Sequence, residues 1–459
     1  MTVSQYFEAM RGKRILVLGL GVSNRPLVRL LLQHGIDVTA CDKTPREQLD
    51  EEVLQLERQG AHLRLGAQYL DDLSGDIVFR TPGMHPNTPE ILQLRAQGAR
   101  VTSEMEAFFA VCPCHTIGVT GSDGKSTTST ILSELLKAQG KRVWLGGNIG
   151  KPLLDCAEQM QREDWAVLEL SSFQLMDMPF SPEIAIVTNL APNHLDIHRD
   201  MQEYIEAKEN VFLHQKEDGI LVLNADNAIT AGFAPLARGH VRLFSRETEP
   251  EHGVFFRDGV VYRKRGEQIT PILRREEILL PGLHNVENYM AAIAATEGIV
   301  SDEAIRAVAG RFGGVEHRIE LVRVKDGVSY YNDSIASSPS RTIAGLKSFD
   351  RKVILIAGGY DKHIPYDVLG PEIVSHVKTL ICTGDTGDKI KAATVQAPEY
   401  SEGHPRILEI DDFREAVCAA STLAKLGDVV LLSPASAAFD RFKNFMVRGK
   451  TFKKIVMEL

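Results

Sequence analysis

The chain has 459 residues, too many for one ordinary hydrophobic core, so two or three domains are expected. Its net charge of −9 argues against a nucleic-acid-binding protein, because such proteins usually show a basic surplus. There is no run of about 18 apolar residues and no apolar leader segment, so neither a membrane span nor a targeting signal is expected. The six cysteines are scattered apart from Cys112-Pro113-Cys114, which indicates reduced thiols in a cytoplasmic protein.

The first segment has the pattern of a nucleotide-binding βαβ unit. An apolar run at residues 15–18 meets Gly19 and Gly21, and a helical pattern leads to a second apolar run that stops before Asp42. The segment resembles the dinucleotide fingerprint, although Asn24 stands where that pattern has its third glycine. It therefore predicts a Rossmann-like domain that holds a nucleotide diphosphate, not NAD in particular.

Apolar runs typical of buried strands alternate with helical patterns along the rest of the chain. Strands are predicted within residues 76–86, 115–120, 165–170, 183–190, 219–224, 328–333, 352–359, 379–384 and 428–435. Short alternating runs between residues 241 and 280 predict an antiparallel hairpin insert, and residues 285–297 predict a helix.

This alternation predicts three α/β domains in series. They are a Rossmann-like domain at residues 1–112, a P-loop ATPase-type domain at 113–314 and a Rossmann-like domain at 315–459. The Cys112–Cys114 linker and Gly313-Gly314 are the candidate hinges between them.

The strongest local motif is TGSDGKSTT, which begins at the end of a predicted strand and runs into an amphipathic helix. Its glycines allow backbone N–H groups to wrap phosphate oxygens, Lys125 would contact the β and γ phosphates, and Ser126 would bind Mg²⁺. Two residues separate Gly121 from Gly124, where the commonest P-loop has four. The alternative is an ordinary glycine-rich turn, which the Lys-Ser-Thr run at the helix start makes less favourable.

Candidate metal ligands follow two of the predicted strands. Glu169 ends an apolar strand, His194 follows the next one, and Asp196 lies two residues further on. Oxygen ligands suit Mg²⁺, and the imidazole indicates a second metal position. The alternatives are a strand-end cap for Glu169 and an ordinary loop histidine for His194.

A series of motifs resembles the Mur ligases over essentially the whole chain and in the same order. They are TGSDGKSTT, GGNIGKPL, LELSSFQL, NHLD, AKENVF, GLHNVEN, EHRIE, YNDSIASSP, AGGYDK and LLSPASAAFDRFKNFMVRG. The N-terminal GLGVSNRPLVRLLLQHG and the C-terminal block are similar to the branch of the family that adds D-glutamate.

The resemblance implies an ATP-dependent ligase that joins D-glutamate to UDP-N-acetylmuramoyl-L-alanine through an acyl phosphate, in cytoplasmic peptidoglycan precursor synthesis. It implies ATP and Mg²⁺ as cofactors, with two metal sites. The expected partners are these small-molecule substrates, without nucleic acid or membrane, and a monomer is expected.

The resemblance also implies roles for individual residues. The implied ATP-binding residues are Gly121, Ser122, Asp123, Gly124, Lys125, Ser126, Thr127, Asn285, Asn288, Arg318 and Asp333. Those for the UDP substrate are Gly19, Gly21, Val22, Ser23, Asp42, Lys43, Thr81, Pro82, Gly83 and Asn148. Those for the amino acid are Ser337, Lys362, Ser436 and Phe445. The implied metal ligands are Ser126, Glu169, His194 and Lys208, the last as a carbamate, and the implied catalytic residues are Lys125, His194 and Lys208.

The departures from the family pattern occur in the part of the site that would bind the incoming amino acid. Ile335 stands where the family often has Lys, Ser337 where it has Thr, and Ala438 where it has Ser. Either Ser436 replaces the missing serine or the pocket is rearranged, so the choice between D- and L-glutamate as the substrate stays open. The alternatives are a sister ligase that adds another amino acid, an inactive nucleotide-binding scaffold and, more remotely, an NAD dehydrogenase.

Overall fold

A computed structural model describes residues 1–194 and 197–459 of the chain. It contains three β-sheets with five, nine and six strands, each flanked by helices. The prediction of an α/β protein with three domains is confirmed, while the domain boundaries at 112/113 and 314/315 stay predictions. None of the described helices is long and apolar enough to cross a membrane.

The chain divides into two compact units. The first unit is Met1–Arg275 with Val286–Val308, and the second is Glu276–Asn285 with Ala309–Leu459. The first two sheets belong to the first unit and the third sheet to the second.

The first sheet is entirely parallel. Its strands are β1 (Ile15–Leu18), β2 (Val38–Asp42), β3 (His62–Leu65), β4 (Ile77–Arg80) and β5 (Arg100–Thr102). The helices of this segment are α1 (Val3–Glu8), α2 (Asn24–Gln33), α3 (Glu51–Arg58), α4 (Pro89–Ala96) and α5 (Glu104–Val111). The strand order is β3-β2-β1-β4-β5, so the loops after β1 and β4 lie side by side at the carboxyl edge.

The second sheet begins with the strand that leads into the phosphate loop. Its strands are β6 (His115–Thr120), β7 (Val143–Gly147), β8 (Trp165–Glu169), β9 (Ile184–Val187), β10 (Ile220–Asn224), β11 (His240–Ser245), β12 (His252–Arg257), β13 (Val260–Arg265) and β14 (Gln268–Arg274). The helices of this segment are α6 (Lys125–Ala138), α7 (Ser172–Leu175), α8 (Met201–Glu209), α9 (Ala228–Ala231), α10 (Leu283–Ala295) and α11 (Asp302–Ala309). The order β14-β13-β12-β11-β10-β9-β6-β8-β7 places β6 between β9 and β8, so the loops after these three strands are neighbours.

The predicted antiparallel insert is only partly right. Strands β12, β13 and β14 are antiparallel, but β11 pairs in parallel with β10, and β12 in parallel with β11. The chain between β10 and β11, which contains α9, provides the long crossover connection that is usual for a parallel pair, whereas only residues 246–251 join the parallel strands β11 and β12. Alternating apolar residues do not distinguish the two pairings at the half-buried β11.

The third sheet has one antiparallel edge strand. Its strands are β15 (Glu320–Lys325), β16 (Val328–Asn332), β17 (Val353–Ala357), β18 (Val377–Cys382), β19 (Arg406–Glu409) and β20 (Val429–Leu432). Its helices are α12 (Pro339–Leu346), α13 (Leu369–His376), α14 (Gly387–Val395), α15 (Phe413–Leu423) and α16 (Phe445–Glu458). The order β15-β16-β20-β17-β18-β19 brings the loops after β16, β20 and β17 together.

Glu104, the first residue of α5, is a buried carboxyl group. It is 4% exposed, and its Oε1 accepts a hydrogen bond from the backbone N–H of Leu154 at 3.3 Å. Burial, reinforced by the charge of Asp155, raises the pKa of Glu104 to about 7 from an ordinary value of 4.5. The folded chain therefore favours the protonated form of Glu104 over a wider pH range than the unfolded chain does.

Glu104→Gln is expected to stabilise the chain relative to wild type as the pH rises. The stability contributed by the protonated wild-type carboxyl is fully present below pH 4.5 and is lost as the pH rises to about 7, while glutamine does not titrate. The difference should reach at most about 3 kcal/mol and then level off. Thermal unfolding midpoints across this pH range test it, with exposed Glu47→Gln as the control. A pH-independent difference between E104Q and wild type would contradict the prediction.

Candidate functional site

The loops after β1 and β4 touch each other at the carboxyl edge of the first sheet. Gly19 has a φ of +84°, and a Cβ there would lie 2.7 Å from the Thr81 side chain. The Thr81 backbone N–H donates to Leu18 O at 2.9 Å. The structure thus brings together two of the segments predicted for the UDP substrate, and a side chain at position 19 would separate them.

Asn24, which stands where the fingerprint has its third glycine, has a structural role in the loop after β1. Its side chain is fully buried, and its amide donates to Leu18 O at 3.2 Å and Gly19 O at 2.8 Å. Asp42, at the end of β2, accepts from the backbone N–H of Leu20 at 2.6 Å. Burial alone would raise the pKa of Asp42, but backbone N–H donors outweigh it and lower the pKa. Both side chains shape the loop after β1.

The other residues predicted for the UDP substrate, apart from Asn148 of the second sheet, lie on the same edge of the first sheet. Val22 is 77% exposed, Lys43 is also exposed, and Ser23 is the N-cap of α2 without a side-chain capping bond. Pro82 and Gly83 form the turn after Thr81. Their contact with a substrate stays a prediction.

The phosphate loop joins β6 to α6. Gly121 has a φ of +143°, and Gly124, with a φ of +79°, is the N-cap of α6. Lys125 Nζ donates to Gly121 O at 2.9 Å and Ser122 O at 2.8 Å, and Ser126 is buried at the helix start. A helix N-terminus with a lysine folded over its loop is an arrangement that binds phosphate.

Two residues after β9, Thr188 and Asn189, brace this loop, although the sequence did not indicate this role. Thr188 Oγ1 donates to Asp123 O at 2.6 Å, and Asn189 Oδ1 accepts from the Asp123 N–H at 3.0 Å. A Cβ on Gly121 would lie 1.9 Å from Thr188 Oγ1, so only glycine fits there. The signal that the sequence offered for this role was the position of Thr188 and Asn189 directly after a buried strand.

Glu169, at the carboxyl end of β8, has one unsatisfied oxygen. It is 2% exposed, and its Oε1 accepts from the Asn148 side-chain amide at 2.8 Å. Its Oε2 is buried and has no hydrogen-bond partner among the residues that the structure describes. A buried carboxylate oxygen without a donor is costly, so this oxygen fits a cation. Asn148 orients this carboxylate, and its predicted contact with substrate stays a prediction.

The side chain of Lys208, near the end of α8, contacts the phosphate loop. It is 1% exposed, and its Nζ donates to Thr120 Oγ1 at 3.1 Å and Gly121 O at 2.9 Å. Burial, followed by the charge of Lys125, lowers the pKa of Lys208 well below its ordinary value, against the opposing charges of Glu169 and Asp123. A neutral buried amine is the form of lysine that reacts with CO₂, and the product would be the acidic group that the carbamate prediction requires.

His194 lies on the loop after β9, beside the helix that follows Glu169. Its φ is +56°, and its ring meets the ring of Phe173 on α7 edge to face at 5.1 Å. Among residues 1–194 and 197–459, no three histidine, cysteine or acidic side chains already form a metal-binding group. Asp196 lies outside the described residues. Glu169 and a carbamylated Lys208 are therefore the buried groups that could hold a divalent cation beside the loop.

Asn288 and Asn285 have different surroundings. In the first unit, Asn288 Oδ1 accepts from Thr128 Oγ1 at 3.1 Å, and a Cβ on Gly124 would lie 2.5 Å from it. In the second unit, the Asn285 amide donates to Pro281 O at 2.6 Å. Asn288 thus supports the phosphate loop directly, which its helical pattern did not reveal.

Within the second unit, Asp333 follows β16 and is buried. Its two oxygens accept from the Ile319 N–H at 3.3 Å and Ser433 Oγ at 2.8 Å. Burial raises the pKa of Asp333 to about 7, against these hydrogen bonds and the charge of Arg318. The charge of Arg318 thus acts on Asp333, and both residues were predicted for ATP.

The residues predicted for the amino acid lie on loops of the same unit. Lys362 is exposed, Ser337 and Phe445 are half-buried, and Phe445 meets the His317 ring at 6.0 Å. Ser436 is 1% exposed, and its hydroxyl is hydrogen-bonded to Tyr366 and Thr386. The Ser436 hydroxyl is therefore already engaged, and its role as a replacement for the missing serine stays a prediction.

Two family models match the chain: the Mur ligase middle domain at residues 119–296 and the Mur ligase glutamate ligase domain at residues 317–436. Similar relatives include the UDP-N-acetylmuramoylalanine–D-glutamate ligases of Clostridium botulinum (strain Alaska E43 / Type E3) and Acetivibrio thermocellus. Each is 50% identical over 457 residues, covering 99% of this chain and 99% and 98% of the respective relatives.

Solved structures share the fold at low identity. A UDP-N-acetylmuramate-alanine ligase from Thermotoga maritima has a TM-score of 0.57 and 16% identity, covering 97% of this chain and 99% of that one. A pseudomurein peptide ligase type C from Methanothermus fervidus has a TM-score of 0.53 and 17% identity, covering 97% and 100%. The full-length relatives and both family models agree, and the chain belongs to the Mur ligase family.

Proposed function

We propose that the chain is an ATP-dependent ligase that joins D-glutamate to UDP-N-acetylmuramoyl-L-alanine through an acyl phosphate. It would work as a monomer in the cytoplasm, in peptidoglycan precursor synthesis. The observation that supports this most strongly is the 50% sequence identity, over 457 residues, to relatives named for this reaction.

The geometry supports the ATP half of the reaction. The loop from Gly121 to Ser126 presents a helix N-terminus and the Lys125 ammonium to one place, where a triphosphate would lie. Glu169 pairs with Val119 of the strand that leads into this loop, and the amine of Lys208 contacts the loop at Gly121. A divalent cation, when bound, would neutralise phosphate charge there, and we propose Ser126, Glu169, His194 and carbamylated Lys208 as the residues that hold it at two sites.

The chain's own groups would stabilise the transition state of phosphoryl transfer and then protect the acyl phosphate that it forms. Lys125 and the loop N–H groups would neutralise charge that develops on the γ-phosphoryl oxygens as the substrate carboxylate attacks. The amine of D-glutamate then displaces phosphate from the acyl phosphate, and a proton leaves the attacking nitrogen. Because water would also attack this intermediate, the site must exclude it until the amine has reacted.

Phosphate release from ATP, measured with UDP-N-acetylmuramoyl-L-alanine and one amino acid at a time, tests the proposal. D-glutamate, L-glutamate, L-lysine and diaminopimelate are compared in parallel, with a reaction lacking the UDP substrate as the control. We expect release with D-glutamate alone and a product mass equal to the sum of the substrates less water. Release with another amino acid would make the chain a sister ligase, and release with none would favour an inactive scaffold.

A further inference from the structure

Three loops of the second unit converge on one buried side chain, Arg448 of α16. They are residues 333–338 after β16, residues 433–444 after β20 and residues 358–365 after β17. The three strands are neighbours in the sheet and parallel, so their carboxyl ends share one edge.

The Arg448 guanidinium holds two of these loops and packs against the third. It is 2% exposed, and its Nε donates to Ser334 Oγ at 3.0 Å. Its terminal nitrogens donate to the carbonyl oxygens of Ser334 at 2.9 Å, Ser436 at 3.0 Å and Ala437 at 2.9 Å. A Cβ on Gly359, in the third loop, would lie 2.9 Å from the guanidinium. The planar fork of arginine suits these acceptors.

This buried charge has no carboxylate partner in the described part of the chain. All four acceptors are carbonyl or hydroxyl oxygens, and Asp440 acts on the guanidinium only through space. Burial lowers the pKa of Arg448 to about 10, so the group is still a cation at neutral pH. An unpaired buried cation is costly, and packing alone would be met more cheaply by an apolar side chain.

The same loops contain the residues predicted for the amino acid. Ser337 lies on residues 333–338 and Lys362 on residues 358–365, and Phe445 begins α16 directly after residues 433–444. Ser334, which Arg448 binds twice, donates its hydroxyl hydrogen to Phe445 O at 2.8 Å. Ile335, the next residue, brings no charge.

We propose that Arg448 is a positioning residue of the amino-acid subsite, whose buried positive charge favours an incoming amino acid with a side-chain carboxylate. It holds the loop on which Ser337 lies and the loop that leads into Phe445, and an anion bound at these loops would offset its charge. This inference rests on the proposed function.

The test compares R448M and R448K with R323M in the full chain. Arg323 of β15 is a matched control, because its guanidinium also binds α16 carbonyl oxygens, those of Val456 and Met457. The measurements are kcat, the KM values for ATP and D-glutamate, the inhibition constant of D-glutamine and the unfolding midpoint. D-Glutamine has the same shape as D-glutamate without the side-chain charge.

In R448M the KM for D-glutamate should rise about tenfold, with smaller changes in the inhibition constant of D-glutamine and the KM for ATP. R448K retains the charge. The ratio of its KM for D-glutamate to its inhibition constant for D-glutamine should therefore stay within about twofold of the wild-type ratio, even with a lower unfolding midpoint. R323M should leave that ratio unchanged. A purely structural role would move both amino-acid constants equally in R448M, and that result would overturn the proposal.

Two further outcomes are decided separately. If R448M does not fold, R448K decides alone, and loss of its preference for D-glutamate over D-glutamine overturns the proposal. If wild type shows no D-glutamate-dependent phosphate release, the proposed function fails, and amide hydrogen exchange tests the positioning role. Protection lost at residues 333–338 and 433–438 in R448M but not in R323M would support that role, and equal protection in both would overturn it.

Discussion

Lys125→Met is expected to lower kcat by roughly 100- to 1,000-fold while leaving the chain folded. The Lys125 ammonium lies at the start of α6 and donates to Gly121 O and Ser122 O, so it is held over its own loop by two carbonyl oxygens. A triphosphate in the loop would offer stronger, anionic acceptors to the same ammonium. The loss should fall mainly on kcat, because charge on the transferring phosphoryl oxygens must be neutralised during transfer.

The matched control for this variant is Lys137→Met. Lys137 lies on the same helix, but its side chain is 49% exposed and pairs with Glu134 on the surface. Steady-state phosphate release and thermal unfolding of both variants separate catalysis from stability. K125M that retains more than about a tenth of the wild-type kcat would show that the loop acts without this cation.

The phosphate loop was predictable because its chemistry is local in sequence. Gly121, Gly124 and Lys125 lie within five residues, and their order after an apolar strand already indicates the turn, the helix start and the charge. The same holds for β1 and β6, whose predicted bounds agree with the structure, because short apolar runs flanked by glycine or proline have few alternative structures.

Contacts between loops far apart in sequence were not predictable in this way. Thr188 and Asn189 brace the phosphate loop only because β9 lies next to β6 in the sheet. Ser436 looked available to a substrate, but its hydroxyl is engaged by Tyr366 and Thr386, 70 and 50 residues away. Strand order determines such contacts, and the pattern of apolar residues along the chain does not specify that order.

The position of Lys208 also could not be deduced from its helix. By sequence it reads as a solvated surface lysine near the end of α8, yet only 1% of it is exposed. Only the family resemblance gave it a role, and the structure adds the physical reason that such a role is possible. The side chain reaches Thr120 and Gly121 in an environment that disfavours the ammonium.

Lys208→Ala is expected to lower kcat by roughly 1,000-fold, and added acetate is expected to restore part of the loss. Burial lowers the pKa of Lys208 well below its ordinary value and so favours the neutral amine, which is the form that can bond to CO₂ with loss of a proton. Alanine leaves a buried space beside Thr120 and Gly121, where the charge of Glu169 also acts, and a small carboxylate there would replace the missing acidic group.

Lys125→Met provides the control for this rescue, because the group it removes is a cation that acetate cannot replace. The carbamate itself is measured by ¹³C NMR of wild type and K208A in ¹³C-bicarbonate, where only wild type should show an additional carbonyl signal. Because CO₂ reacts with the neutral amine, that signal should weaken as the pH falls through the lowered pKa of Lys208. Full activity in K208A without acetate, or equal rescue of K125M, would show that Lys208 acts as a structural amine beneath the loop.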